Sequence, residues 1–160
     1  MTTVRAASGL DEVADLWIAL ASHHYEAGAA LASMAAPVGA AESWPARRGQ
    51  YASWSREPGW QLLVADDNGT VSGYAAARVT PSSSAWNFGA HVGRLETLAV
   101  LPSARGRGLG TALLDAVRAG WRDAGIEFAT VSVIAGNDGA QRFYDRLGAV
   151  EFTRTSVFPV

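Results

Sequence analysis

The sequence predicts an α/β protein that folds as one domain over residues 1–160. Two stretches predict this class. In the first, a β-prone run over residues 95–100 leads through the glycine-rich turn 105–110 into a segment whose apolar residues share one helical face from Leu109 to Trp121. In the second, Asp66-Asp67-Asn68-Gly69 separates two β-prone runs, which is typical of a β-hairpin. Strands are therefore expected both beside helices and beside other strands.

The N-terminal third is predicted to contain one strand and three helices. Residues 3–7 form the strand, and Ser8-Gly9-Leu10-Asp11 has the form of a capping box that starts the first helix. An alanine-rich second helix ends at about Ala36, before a proline. The third helix covers residues 43–57, with a serine as its cap and Pro45 in its first turn.

The remainder of the chain is predicted to contain most of the strands. Proline and glycine pairs end helices, and the turn at residues 66–69 joins two antiparallel strands. The predicted elements are strands 60–65, 70–79 and 91–100, a helix that Gly125 stops, a strand over 126–135, a helix over 138–147 and a final strand over 149–157.

Composition narrows the class of function. The hydrophobic fraction of 49% and charged fraction of 18% are ordinary for a globular protein. A formal net charge of −2 argues against nucleic acid as the main partner. The chain has no cysteine, so disulfides, thiolate metal ligands and cysteine nucleophiles are absent. The opening residues lack an apolar signal region and no apolar run could span a bilayer, which predicts a cytoplasmic protein that does not enter a membrane.

The glycine-rich turn has the features of an anion site. The first N–H groups of a helix lack partners within it, and the aligned peptide dipoles place about half a positive charge there. Glycine has no Cβ, so Gly106, Gly108 and Gly110 allow an anion to approach the backbone closely. Arg105 and Arg107 add positive charge and paired donors. The turn is therefore predicted to bind a diphosphate.

Two familiar diphosphate loops do not fit this turn. A P-loop requires a lysine after its last glycine, but Thr111 stands there and the chain contains no lysine. A dinucleotide fingerprint requires a sixth-position glycine counted from Gly106, and that position is again Thr111. That fingerprint also normally lies in the first β–α unit, whereas this turn lies well past the middle of the chain.

A third diphosphate motif matches. Arg105-x-x-Gly108-x-Gly110, after a strand and at the start of a helix, resembles the acetyl-CoA signature of the GNAT superfamily of N-acetyltransferases. Asn137-x-x-Ala140-x-x-Phe143-Tyr144, followed by Leu147-Gly148-Ala149, resembles the second cofactor segment of that family. Val4-Arg5-Ala6-Ala7 before a helix resembles the start of the family's domain. The resemblance extends over nearly the whole chain.

The resemblance implies a fold and a cofactor. The fold would be a single GNAT domain with a mixed, mostly antiparallel sheet flanked by helices and split between strands 91–100 and 126–135. Acetyl-CoA would be the co-substrate, with its pantetheine arm in that split and without a metal. The residues that match the family's cofactor contacts are Leu98, Ala99, Val100, Arg105, Gly106, Arg107, Gly108, Leu109, Gly110, Thr111, Asn137 and Tyr144.

Five of these positions carry specific expectations. The resemblance implies that the backbone N–H groups of Leu98 and Val100 pair with pantetheine and polarise the acetyl carbonyl, while their side chains are ordinary strand residues. Asn137 would contact the pantetheine arm, although capping of the following helix alone would explain an asparagine there. The two arginines of the glycine turn would meet phosphate; the alternative is a solvated basic loop.

Two residues match catalytic positions of the family. A free alkylamine has a pKa of about 10.4, so near pH 7 nearly all of it is protonated and a base is useful. Glu96 would be that base; alternatively it faces solvent or pairs with Arg94 or Arg78. Tyr144 would be the general acid for the leaving thiolate, because a phenol's pKa of about 10 is close to that of a thiol. Its alternative role is core packing beside Phe143.

The implied function is acetyl-CoA-dependent N-acetyltransfer to a primary amine of a small molecule. Transfer would be direct, because the usual covalent nucleophile, cysteine, is absent. Residues 27–57 would determine the acceptor. His23-His24-Tyr25-Glu26 are expected at the surface or in the pocket wall, and adjacent histidines diverge by about 100° on a helix, which argues against a metal site.

Two other functions remain open from the sequence. One is a non-catalytic acyl-CoA-binding or sensor module, which would have the same loop but no turnover. The other is a protein acetyltransferase that acts on lysines or N-termini, although the sequence does not indicate a basic or long acidic groove for a peptide. The apolar tail Val157-Phe158-Pro159-Val160 would be costly to leave in water and therefore predicts a homodimer.

Overall fold

The computed structural model of the chain describes residues 2–160 and contains one five-stranded sheet, with strands in the order β1-β2-β3-β4-β5. In this part of the chain, four α-helices and three short 3₁₀ helices join the strands. In chain order the elements are β1 Thr2–Ala6, a 3₁₀ helix Leu10–Val13, α1 Ala14–Ala27, a 3₁₀ helix Ala29–Ser33, α2 Ala40–Trp54, β2 Gln61–Asp67, β3 Thr70–Pro81, β4 His91–Val100, a 3₁₀ helix Pro102–Ala104, α3 Leu109–Asp123, β5 Ala129–Val131 and α4 Asp138–Arg146.

The sheet is mixed and mostly antiparallel, which confirms the predicted fold class. The pairs β1–β2, β2–β3 and β3–β4 are antiparallel, and β4–β5 is the one parallel pair among the described strands. The parallel pairing joins Gly93–Leu95 only to Ala129–Val131. Beyond Leu95, β4 continues to Val100 with β3 as its one strand partner in the part of the chain that the structure describes. The sheet is therefore split between the second half of β4 and the chain that follows β5.

A β-bulge at Glu96 lies where that split begins. On β3, Ala76 and Ala77 are adjacent, but their partners on β4 are Thr97 and Leu95, so Glu96 is the extra residue. Leu95 belongs to the core cluster beneath α3, whereas the Thr97 hydroxyl bonds to a tyrosine of α2. A bulge bends its strand and changes the alternation of side chains. Pairing with β5 accordingly ends at the residue before the bulge.

Two hydrophobic clusters occupy the two faces of the sheet. Helices α3 and α4 cover one face, with Leu113, Val117 and Trp121 among the buried residues. Helices α1 and α2 cover the other face, where Tyr51 packs against strand residues and against two tryptophan rings. The helices on each face therefore bury their apolar sides against the sheet, as the helical spacing of apolar residues in the sequence predicts.

The N-terminal helices differ from the prediction in detail. Glu12, not Asp11, closes the cap, since its carboxylate accepts from the Ser8 amide at 2.7 Å and from the Ser8 hydroxyl at 3.0 Å. Asp11 instead pairs with Arg48 of α2. The alanine-rich second helix is one short 3₁₀ segment, because its residues bury no apolar face. The third helix begins at Ala40, before the predicted start.

The C-terminal strands are shorter than predicted or absent. The predicted strand 126–135 is confined to Ala129–Val131, because those residues alone in this described segment have a partner on β4. The predicted final strand 149–157 is wrong: residues 149–160 have no regular secondary structure and are exposed. A strand requires a neighbour to complete its hydrogen bonds, and β-propensity alone does not supply one. Among residues 2–160, no helix combines the length and apolarity needed to span a bilayer.

Candidate active site

A cavity of about 890 Å³ lies where the sheet splits. The end of β4 and the turn that follows it form one side, and the start of α4 forms another. One face of α1 lines the cavity as well. The two cofactor motifs of the sequence, one at the glycine turn and one at α4, therefore border one space.

The glycine turn forms the end of the cavity at the start of α3. Gly106 and Gly108 have φ values of +75° and +79°, which favour glycine, and a Cβ at either would meet no described atom within 4 Å. Gly108 is the N-cap of α3, and no side chain of residues 2–160 caps that helix end. The first-turn N–H groups are therefore available to a ligand. The residues of this turn that line the cavity are Arg105, Gly106, Gly108, Leu109, Gly110 and Thr111.

The two arginines of the turn have different surroundings. Arg105 lines the cavity, and its Nε donates to the Val100 carbonyl oxygen at 3.2 Å, which ties the turn to the end of β4. Arg107 is outside the cavity lining; its guanidinium donates to the Asp67 carboxylate at 3.0 Å on the β2–β3 hairpin. The structure thus brings one of the two predicted phosphate-binding arginines into the cavity.

The end of β4 presents backbone groups to the cavity. Leu98, Ala99 and Val100 all line it. The Leu101 N–H donates to the Ser72 carbonyl oxygen at 2.9 Å, at the edge that faces β3. Because successive N–H groups of a strand alternate between its two edges, those of Val100 and Leu98 are directed to the other edge, at the split. This is the arrangement that carbonyl polarisation by these amides requires.

Tyr144 lies in the wall that α4 forms. The residue is 9% exposed, its ring packs edge-on against Phe143 with 5.1 Å between the ring centroids, and it lines the cavity. Burial raises the pKa of Tyr144 to about 12. The phenol is therefore neutral and able to donate a proton at pH 7, although it is a weaker acid than a free phenol. Core packing and a place in the cavity are both observed for this residue.

Asn137 has the capping role that its sequence position allows. Its side-chain oxygen accepts from the Ala140 N–H at 3.1 Å at the start of α4, and the residue also lines the cavity. The cap fixes the direction in which α4 leaves the loop after β5, and thereby the position of Tyr144.

Glu96 is paired in the way that the alternative interpretation describes. Its Oε1 accepts from Arg78 Nε at 2.7 Å and forms an ion pair with Arg94 at 3.1 Å. Arg78 also pairs with Glu57 at 3.1 Å and lies 4.5 Å from the ring centroid of Trp54. The Glu96 side chain is 10% exposed and is outside the cavity lining. Its catalytic role stays a prediction.

Helix α1 supplies a wall that the sequence motifs do not mark. This α1 wall consists of residues from one face of the helix, among them Leu16, Leu20, His23 and Glu26. The signal in the sequence is their helical spacing, which continues an apolar stripe into two polar residues. His24 is outside the cavity lining and is half-buried; burial, followed by the charges of neighbouring groups, lowers its pKa. Within residues 2–160, no group of three histidine, aspartate or glutamate side chains could hold a metal ion.

Comparison with known proteins agrees with this architecture. The sequence matches the profile of the acetyltransferase (GNAT) family over residues 25–149, which is most of the chain. No curated protein matches the sequence significantly.

Solved structures with the same fold include three acetyltransferases. A GCN5-related N-acetyltransferase from Ralstonia eutropha JMP134 is 22% identical with a TM-score of 0.70, and the match covers 100% of this chain and 99% of the other. The aminoglycoside N-acetyltransferase AAC(6')-Iy in complex with a CoA-containing bisubstrate analogue is 18% identical with a TM-score of 0.72, over 100% and 98%. An aminoglycoside 6'-N-acetyltransferase from Acinetobacter haemolyticus is 16% identical with a TM-score of 0.68, over 99% and 97%. With the family profile matched over most of its length, this chain belongs to the acetyltransferase (GNAT) family.

Proposed function

We propose that this protein transfers the acetyl group of acetyl-CoA directly to a primary amine of a small molecule. The observation that carries the proposal is that one cavity contains two features. The first is the start of α3, which follows the glycine turn and has no side-chain cap; the second is the edge of β4 beyond Leu95, which pairs with no strand of residues 2–160 on that side. The first feature suits a diphosphate and the second suits the amide groups and thioester carbonyl of an acyl-pantetheine arm.

Different residues of the cavity would bind different parts of acetyl-CoA. The N–H groups at the start of α3 and the guanidinium of Arg105 would hold the diphosphate. The backbone of Leu98 and Val100 would pair with the pantetheine arm and polarise the carbonyl, a contribution of roughly 3 kcal/mol for each well-placed donor. The AAC(6')-Iy complex supports this proposal, since that protein has the same fold and binds a ligand that contains CoA.

Tyr144 would complete the transfer by protonating sulfur. Its side chain lines the same cavity as the edge of β4, and its hydroxyl, whose pKa burial raises to about 12, is protonated at neutral pH. As the C–S bond breaks, the thiolate takes the phenolic proton, and water returns a proton to the phenolate. The chain has no cysteine, so no acetyl-cysteine intermediate is available.

A turnover screen tests the proposal. Release of free CoA is followed with a thiol reagent, and the absence of cysteine from the chain removes any background from the protein itself. The panel contains polyamines, amino sugars including aminoglycosides, amino acids and lysine peptides. We expect turnover with one or more of the small amines. Binding of acetyl-CoA without turnover would instead favour a sensor module, and turnover confined to peptides would favour a protein acetyltransferase.

A further inference from the structure

The cavity has an acceptor side formed by the last turns of α1. Three polar residues, Ser22, His23 and Glu26, line it there, and the end of β4 and the start of α4 line the same cavity. The Ser22 hydroxyl donates to the Ile18 carbonyl oxygen of its own helix at 3.1 Å, which leaves His23 and Glu26. The end of α1 is held close to the loop before α4. A Cβ at Gly136 would collide with the Ala27 carbonyl oxygen, and one at Gly28 would lie 2.9 Å from the side chain of an isoleucine in that loop.

The α1 wall carries two ionisable side chains that lie close together. His23 Nδ1 lies 3.9 Å from Glu26 Oε2, which is an ion pair only when the imidazole is protonated, and no other cationic side chain of residues 2–160 lies within 4 Å of the Glu26 carboxylate. The other carboxylate in the cavity, Asp138, is the first residue of α4, where the helix dipole stabilises a negative charge. The carboxylate of Glu96 is outside the cavity and occupied by two arginines. His23 and Glu26 are therefore the pair placed to meet an acceptor.

We propose that His23 takes the proton from the acceptor amine and that the carboxylate of Glu26 attracts the incoming ammonium group. The inference rests on the proposed function. Imidazole is the side chain that most readily changes charge between about pH 5 and 8, which suits a base at neutral pH. The carboxylate beside it attracts a cation, so the acceptor enters as an ammonium ion.

The transfer is balanced with these groups. His23 takes one proton from the ammonium group and passes it to water. The nitrogen lone pair then forms the C–N bond while the C–S bond breaks. The second proton lost by nitrogen goes to water, sulfur receives a proton from Tyr144, and water returns one to the phenolate. One proton is released in total for each acetyl group transferred.

The charged and titratable groups around His23 come from four elements: α1 itself, α2, α4 and the glycine turn. They are Glu26 and His24 on α1; Arg47 on α2, whose charge acts on the adjacent His24; Asp138, Tyr144 and Arg146 on α4; and Arg105 in the turn. A bound cofactor adds its own phosphate charge to this set. The dependence of kcat/KM on pH is therefore compared between variants that each change one of these side chains and leave the others unchanged.

The test compares four variants in the turnover assay from about pH 5.5 to 9. His23→Gln should lower kcat/KM by about 10²- to 10⁴-fold near neutral pH, with recovery as pH rises and free amine becomes abundant. Glu26→Gln should lower it by about tenfold, mainly through KM. His24→Gln is the matched control, since His24 is adjacent but not in the cavity wall, and it should behave as wild type. Glu96→Gln removes the base that the family resemblance implies, and with His23 as the base this variant should lack the pH-dependent loss.

Two further measurements separate chemistry from structure. CoA affinity by calorimetry should be unchanged in His23→Gln, and added imidazole should partly restore activity to His23→Ala. Wild-type activity in His23→Gln, or the pH-dependent loss appearing in Glu96→Gln alone, would overturn the inference while leaving the proposed function intact. Absence of turnover by the wild-type protein with every amine would overturn both.

Discussion

Replacing Gly108 with aspartate should weaken CoA binding without unfolding the protein. Gly108 precedes α3 in a left-handed conformation, and a Cβ there would meet no described atom within 4 Å. The new side chain therefore has room, but it places a negative charge where the diphosphate is proposed to bind. Two unit charges about 4 Å apart repel by about 1 kcal/mol in water and about 4 kcal/mol at an effective permittivity of about 20.

The expected loss lies between these two limits, toward the lower one. Residues 105–108 are all exposed, so solvent and salt screen part of the repulsion. A penalty of about 1.5–3 kcal/mol corresponds to CoA binding that is roughly 10- to 100-fold weaker. Gly108→Asn has nearly the same shape without the charge and should retain most of the affinity.

Gly125→Asp provides the matched control for backbone strain. Gly125 follows the other end of α3, has a φ of +72° and likewise has no described atom within 4 Å of an added Cβ. Calorimetry with CoA at low and high salt gives the affinities, and the aspartate-specific loss at position 108 should shrink as salt rises. Equal losses for Gly108→Asp and Gly108→Asn, or wild-type affinity in a folded Gly108→Asp, would refute the diphosphate assignment.

Three further predictions use different measurements. Tyr144→Phe should lower kcat by roughly 10²–10⁴-fold with little change in CoA affinity, and an unchanged kcat would remove this residue from the mechanism. In the wild-type protein, the tyrosine should cause no decline of activity below about pH 11, since its pKa is raised to about 12. Glu12 pairs with Arg5, which lowers the pKa of Glu12 from 4.5 to about 2, so the stability that the pair contributes is complete above pH 4.5 and is lost as pH falls through 2. Because Arg5 is partly exposed, Glu12→Gln should cost only about 1 kcal/mol in urea unfolding at pH 7 and little at pH 2, and an equal cost at both pH values would contradict this. Light scattering at micromolar concentration should give a dimeric mass, because Val157 and Phe158 are 62% and 75% exposed; a monomeric mass would rule the dimer out.

Local patterns predicted the elements that depend on local sequence. Strand β4 has the predicted bounds, and the turn before Thr70 has Asn68 and Gly69 at positive φ, as the hairpin signal requires. The glycine turn and the start of α3 also lie where the sequence places them. In each case the determinant is a backbone conformation or a periodicity within a few residues, which a single sequence displays.

Long-range pairing could not be read from the sequence in the same way. The bulge at Glu96 follows from its register with β3, and its pairing depends on Arg78, which is 18 residues away in sequence. The prediction of a last strand failed because β-prone residues still need a neighbouring strand. The α1 wall lies far from both motifs in sequence, so only the fold brings His23 and Tyr144 to one cavity.

The short register between β4 and β5 has a consequence for hydrogen exchange. Three residue pairs connect β5, and the chain leading to α4, to the rest of the sheet. Such a segment can open at a lower free energy than the whole domain unfolds. A ligand that bridges the split would add about 2.7 kcal/mol to the free energy of that opening when present at about a hundred times its dissociation constant. Amides in α4 should then exchange about a hundred times more slowly, and this slowing would report occupancy of the cleft without any assay of chemistry.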